Sequence, residues 1–185
     1  MRNLIYGLNI TLDGCCDHTK GSSNDELHEY YAQLLRDDVD VLVFGRKTYQ
    51  LMVPFWPDVA KNHSGQTKAM NEYAQAFDSV NNIVVFSQSL EKAEGKKTRI
   101  VRTNLQNEIL KLKQEQGKNI LTGGVNIPSQ LIELGLVDEY HVVIQPLVVG
   151  EGTRLLEGIS LEEKLNLVES KIFPSGCVAL RYLKS

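Results

Sequence analysis

Short, nearly continuous apolar runs alternate along this chain with longer stretches of helical period. Residues 39–44, VDVLVF, and 82–86, NIVVF, read as buried strands. Residues 2–10, 98–102 and 119–122 give three more. Leu27, Tyr30, Tyr31, Leu34 and Leu35 recur at helical spacing and predict a helix over 25–36. Asn24 is placed to cap it, and Asp25 and Glu26 occupy its first turn, where acids complement the helix dipole. Further helices are expected over 46–53, near 67–77, over 104–116, and from Gly123-Gly124 to about 134. Pro54-Phe55-Trp56-Pro57 reads as a break that opens a polar stretch. Residues 11–24 read as a polar loop and 139–149 as one long strand. Strands over 164–173 and 177–183 flank Pro174-Ser175-Gly176, a hairpin signal. The alternation of strand and helix predicts an α/β fold closed by an antiparallel hairpin.

The length of 185 residues suits one domain, 1–185, with a sizeable core. A formal net charge of −3 gives no global basic field toward nucleic acid, and no apolar run reaches membrane-spanning length. Asn9 and Asp13 interrupt the N-terminal apolar run too early for a secretory signal. Cys15, Cys16 and Cys177 are an odd count with an adjacent pair, which reads as free thiols in a reducing cytoplasm. The four histidines show no metal-type spacing, so no metal is expected.

Three strand ends carry candidate chemistry. After Phe44, Gly45 leads into a helix that starts with Arg46, Lys47 and Thr48, two cations where the dipole favours anions. By itself this stretch reads first as a solvated charge pair; beside a phosphate, it reads as an anion site. Thr122-Gly123-Gly124-Val125-Asn126 is a second strand–glycine–helix junction, and Val85-Phe86-Ser87 ends a third strand in hydroxyl residues. Ligands of open α/β sheets sit at carboxyl ends of strands, so three such ends point to a dinucleotide. The GxGxxG fingerprint is absent.

Taken in order, Thr11-Leu12-Asp13-Gly14, Phe44 to Tyr49, Asn82 to Ser87 and Thr122-Gly123-Gly124 resemble the dihydrofolate reductase superfamily. Gly135 to Glu139, running on to Pro146 to Gly152, is similar to the branch holding the reductase domain of bifunctional riboflavin-biosynthesis deaminase-reductases. The resemblance covers nearly the whole chain. It implies a dihydrofolate-reductase-like mixed sheet flanked by helices, with NADPH as cofactor. It implies that Arg46 and Ser87 hold the 2′-phosphate, with Gly45 and Lys47 beside them, and that Thr48 lies near the pyrophosphate. Gly123 and Gly124 would be joined by a cis peptide, and Val125, Asn126 and Ile127 would face the pyrophosphate.

The family's proton source falls at Glu26, with Asp25 adjacent, and both read first as surface acids that complement the dipole of a helix start. Asp13, Tyr30 and Trp56 are the candidate substrate contacts; Trp56 reads as a pocket wall or as core after a helix break. Lys20 and Arg154 are candidates for a substrate phosphate, and Cys15-Cys16 lie in the loop that covers the nicotinamide in relatives. Folate reductases carry an Arg where Val80 stands and a Thr near Val143, so a true dihydrofolate reductase is not expected. No H-x-E with P-C-x-x-C deaminase motif is present, which leaves a stand-alone reductase-like domain. The expectation is an NADPH-dependent reductase of a small heterocycle, of the riboflavin-pathway pyrimidine reductase type. An atypical dihydrofolate or pterin reductase, a non-catalytic NADP-binding protein and a plain scaffold are the rivals. Relatives are often homodimers, and the long strand with its hairpin suits an interface between two copies.

Overall fold

The computed structural model describes residues 1–21, 24–95, 97–156 and 158–185. Ser22 and Ser23 of the expected polar loop lie outside the described residues. The chain divides into two compact units, one of Met1–Arg2 and Ser23–Leu121, the other of Asn3–Ser22 and Thr122–Ser185.

In chain order the elements are β1 (Leu4–Thr11), α1 (Asp25–Asp38), β2 (Val39–Gly45), α2 (Arg46–Met52), α3 (Phe55–Asn62), α4 (Lys68–Ser79) and β3 (Asn82–Phe86). Then follow β4 (Thr98–Val101), α5 (Leu105–Gln114), β5 (Asn119–Thr122), α6 (Asn126–Glu133), β6 (Glu139–Gln145), β7 (Leu165–Ile172) and β8 (Val178–Lys184). The strands form an eight-stranded mixed sheet in the order β4-β3-β2-β5-β1-β6-β8-β7. The expected α/β order, with an antiparallel hairpin at its end, is what the chain adopts.

In the first unit β2, β3 and β4 run parallel, with Val41 opposite Asn82 and Ile83 opposite Thr98. Parallel strands are covered on both faces and therefore read as continuous apolar runs. Val41 to Phe44 and Ile83 to Phe86 are all buried accordingly. Leu27, Leu34 and Leu35 of α1 and Ala69, Ala74, Ala76 and Phe77 of α4 complete this core, with Phe77 stacked on Phe44 at 6.4 Å between ring centroids. The Asn24 side chain accepts the Leu27 N–H at 2.9 Å, the cap its position promised. Thr67 and Asn104 cap α4 and α5 in the same way.

The proline-bounded stretch ends α2 at Met52, as expected, and then starts a helix that the sequence reading did not include. Pro54 is the N-cap of α3 at φ −69°, and Pro57 falls in that helix's first turn. There an N–H would have no partner inside the helix, so the prolines that follow the end of α2 also start α3.

In the second unit β1 runs parallel to β6, with Ile5 opposite Glu139 and Thr11 opposite Gln145. β8 pairs antiparallel with β6 and β7. Leu4, Ile5, Tyr6, Leu131, Val137, Tyr140, Val143 and Ala179 are buried here. β6 stops at Gln145, short of the expected 149, because Pro146 has no N–H for the ladder. β7 is the sheet edge, and all eight of its residues are exposed.

Candidate functional site

The first unit presents the carboxyl ends of β2 and β3. Gly45 and Phe86 are register partners in that parallel pair. Arg46 and Ser87 each follow by one residue, so the register brings both to this end of the pair. Arg46 and Lys47 are exposed, and Thr48 is half-buried. The Ser87 Oγ accepts the N–H groups of Ser89 at 3.2 Å and Leu90 at 2.9 Å. Both of its lone pairs are thereby used, and the hydroxyl proton is left to donate to an acceptor such as a phosphate oxygen. Tyr49, one turn into α2, is 2% exposed. Its phenol donates to the Glu94 carbonyl at 3.0 Å and accepts the Glu94 N–H at 2.7 Å, which pins the loop that Ser87 begins.

The candidate carboxylates sit at the start of α1. Asp25 is exposed, and its Oδ1 accepts from the Thr67 hydroxyl at 2.5 Å. Thr67 in turn accepts the Met70 N–H, so Asp25 ties the start of α1 to the start of α4. Glu26 is half-buried beside buried Leu27. Tyr30 is half-buried and meets Tyr31 edge-on at 5.3 Å. Trp56 packs edge-on against Tyr73 at 4.6 Å, Phe55 at 4.9 Å and His28 at 5.7 Å, an aromatic cluster built by α1, α3 and α4. Burial pushes the His28 imidazole below its ordinary pKa, against the opposing charge of Asp25. Val80 at the end of α4 is 3% exposed and Val143 is fully buried.

In the second unit Asp13 is held by its own chain. Its Oδ1 accepts from the Thr11 hydroxyl at 2.6 Å and the Val149 N–H at 3.3 Å, and its Oδ2 accepts from the Gly150 N–H at 2.9 Å and Arg154 at 3.2 Å. The Thr11 hydroxyl first, then the Gly150 amide, hold its carboxyl well below the usual carboxylate range. A group so firmly ionised has no proton to give. Arg154 also donates to the Gly150 carbonyl at 3.0 Å, and Lys20 pairs with Glu151 at 2.7 Å. Both candidate phosphate cations are thus engaged with nearby backbone or acid.

At the junction after β5 every peptide among the described residues is trans, so the expected Gly123–Gly124 cis bond is not what this backbone holds. Gly124 instead takes φ +83°, a left-handed torsion that glycine adopts without strain. Its carbonyl accepts from the Tyr6 phenol at 2.8 Å. No side chain among the described residues caps α6, and Val125, its N-cap residue, has its carbonyl held by the Ser129 N–H at 2.9 Å and hydroxyl at 2.8 Å. Sequence reasoning had no signal for Tyr6, which looks like any core residue of β1. Asn9 it passed over as well, although an amide inside an apolar strand is a signal. The Asn9 Oδ1 is sealed from solvent with no hydrogen-bond partner among the described residues.

Residues 2–179 match the family described as the RibD C-terminal domain. The chain belongs to this family. The uncharacterized protein YyaP of Bacillus subtilis is 30% identical over 185 residues, covering 98% of this chain and 94% of its own. Among solved structures, a candidate riboflavin biosynthesis protein of Shewanella sp. PV-4 aligns with TM-score 0.72 at 19% identity, over 100% of this chain and 99% of its own. The diaminohydroxyphosphoribosylaminopyrimidine deaminase/5-amino-6-(5-phosphoribosylamino)uracil reductase of Thermotoga maritima aligns with TM-score 0.68 at 16% identity, over 100% of this chain and 57% of its own. Dihydrofolate reductase of Enterococcus faecalis, complexed with NADP(H), aligns with TM-score 0.63 at 13% identity, over 99% of this chain and 96% of its own. At these identities the structural likenesses carry the fold, which is dihydrofolate-reductase-like. Membership of the RibD C-terminal family carries the coarse activity class, a reductase domain. No helix among the described residues is long and apolar enough to cross a membrane.

Proposed function

We propose that this chain is an NADPH-dependent reductase of a small heterocycle, of the 5-amino-6-(5-phosphoribosylamino)uracil reductase type. The observation that carries the reading is the β2–β3 register, Gly45 opposite Phe86, which brings Arg46 and Ser87 to the same end of the parallel pair, with the Ser87 hydroxyl left to donate. A guanidinium fork beside a hydroxyl that can only donate fits a dianionic phosphate monoester, the feature that separates NADPH from NADH.

In this reading Gly45, Arg46, Lys47 and Ser87 take the 2′-phosphate. Thr48, Gly123, Gly124, Val125, Asn126 and Ile127 serve the pyrophosphate. Bound NADPH supplies the hydride. The chain's own residues orient the acceptor and move one proton. Glu26, half-buried where Asp25 is exposed, is the better placed of the two acids to carry it. Tyr30 and Trp56 offer aromatic surface to a planar ring. Asp13 acts by holding its loop, since its oxygens are taken by Thr11, Val149, Gly150 and Arg154. Buried Val80 leaves no cation at the position that grips a folate tail, which favours a pyrimidine over dihydrofolate. A second copy of the chain covers the exposed edge strand β7, and the free thiols suit the cytoplasm.

Calorimetry tests the cofactor assignment. A charge-assisted hydrogen bond contributes about 1.5–3 kcal/mol, so NADPH should bind roughly ten- to a hundredfold tighter than NADH. Arg46→Ala should remove most of that preference. Equal affinities in the wild type would overturn the assignment. NADPH binding without NADPH oxidation across pyrimidine, pterin and carbonyl acceptors would make the protein a non-catalytic NADP binder.

A further inference from the structure

We infer that Tyr6 is a positioning residue: by holding the Gly124 carbonyl, it aims the Val125 N–H at the diphosphate of the dinucleotide. The inference rests on the NADPH reading above and adds to it a residue of β1 that is expected to touch neither substrate nor cofactor. A trans peptide is planar, and its C=O and N–H point in opposite directions. The Tyr6 phenol donates to the Gly124 carbonyl at 2.8 Å, so the N–H of the same peptide, that of Val125, is directed away from Tyr6.

The next peptide is fixed likewise. The Val125 carbonyl accepts the Ser129 N–H at 2.9 Å and the Ser129 hydroxyl at 2.8 Å. The Asn126 N–H must then point the other way. Two successive peptides are tied down by their carbonyls, and their N–H groups stand at a helix start where such donors have no partner inside the helix. A pair of preset donors binds an anion without reorganising.

Tyr6 itself cannot swing. It is 2% exposed and meets Tyr140 edge-on at 6.3 Å. The Tyr140 phenol is hydrogen-bonded to Glu163. Burial also pushes the Tyr6 phenol far above its ordinary pKa, so it remains a donor throughout the neutral range. Gly124 at φ +83° supplies the torsion that brings its carbonyl to the phenol.

Tyr6→Phe keeps the ring and removes the bond. In a fluorescence titration the variant should bind NADPH about five- to thirtyfold more weakly, because the amide is still present but no longer aimed. Its affinity for adenosine 2′-monophosphate, which carries the 2′-phosphate and no diphosphate, should equal that of the wild type. Unchanged NADPH affinity in the folded variant overturns the inference, and so does equal weakening of both ligands, the mark of a merely structural role. Should the variant not fold, the wild type labelled with 15N decides. NADPH must move the Val125 and Asn126 amide proton resonances downfield; unmoved resonances in the NADPH-bound protein overturn the inference. A wild type that binds no NADPH overturns the cofactor reading and this inference together, whereas failure of the Tyr6 tests in a protein that does bind NADPH removes this inference alone.

Discussion

Replacing Gly124 by valine tests the junction after β5 most directly. At φ +83° the native torsion lies where an L-residue pays roughly 1–2 kcal/mol, and a β-branched one more. The chain has two ways to respond. It can keep the torsion and carry the strain. It can instead rotate the peptide and take the Gly124 carbonyl off Tyr6, whose 2%-exposed phenol then lacks its acceptor, at about 1–3 kcal/mol. Either route costs about 1–3 kcal/mol, less than the 5–15 kcal/mol typical of a folded domain, so the variant should fold. For a chain of this size each kcal/mol moves Tm by about 2–4 °C, which gives a fall of about 2–12 °C. Cofactor binding should suffer far more. Losing one charge-assisted amide bond of about 1.5–3 kcal/mol predicts NADPH affinity lower by roughly ten- to a hundredfold, and losing two predicts a larger fall. Gly124→Ala, with the smaller strain, should fall between the two. Nicotinamide fluorescence measures the affinity, with circular dichroism as the fold control. A folded Gly124→Val with wild-type affinity would remove this junction from the site and refute the reasoning.

Two further predictions concern the second unit. Asp13 has its carboxyl pKa depressed by Thr11 and the Gly150 amide, so its contribution to stability is present above the unfolded-state value of about 3.9 and is lost as pH falls through the lower folded value. Asp13→Asn should therefore have a lower Tm than wild type at pH 7, with the two curves converging in acid; a constant offset at every pH would contradict the clasp. The edge strand β7 exposes Leu167, Val168 and Ile172 at 54%, 48% and 79%, an apolar strip on an unpaired edge that a second copy would cover. Light scattering after gel filtration should find a dimer that Leu167→Lys with Ile172→Lys converts to a monomer; a monomeric wild type would refute it.

Much of the sheet was legible from single stretches. Buried parallel strands show as unbroken apolar runs, and residues 39–44 and 82–86 needed nothing more than their own composition. Asn24 ahead of an amphipathic run announced its cap, and Pro174-Ser175-Gly176 its hairpin, because caps and turns are decided by residues a few positions apart. The ordered glycine, arginine and hydroxyl motifs carried the family. Local reading placed the break after α2 but missed α3, because Pro54 and Pro57 show only a breaker until their place at a helix start is known. It had no means of showing that the Asp13 oxygens are taken by residues near 150. Arg46 and Ser87 come to the same end of the sheet only through the strand register, and Tyr6 holds Gly124 only through tertiary packing. Periodicity and capping record interactions within about one helical turn or one strand pleat. Register, loop closure and peptide orientation join residues far apart in the chain, and only the packed tertiary structure determines which of them meet.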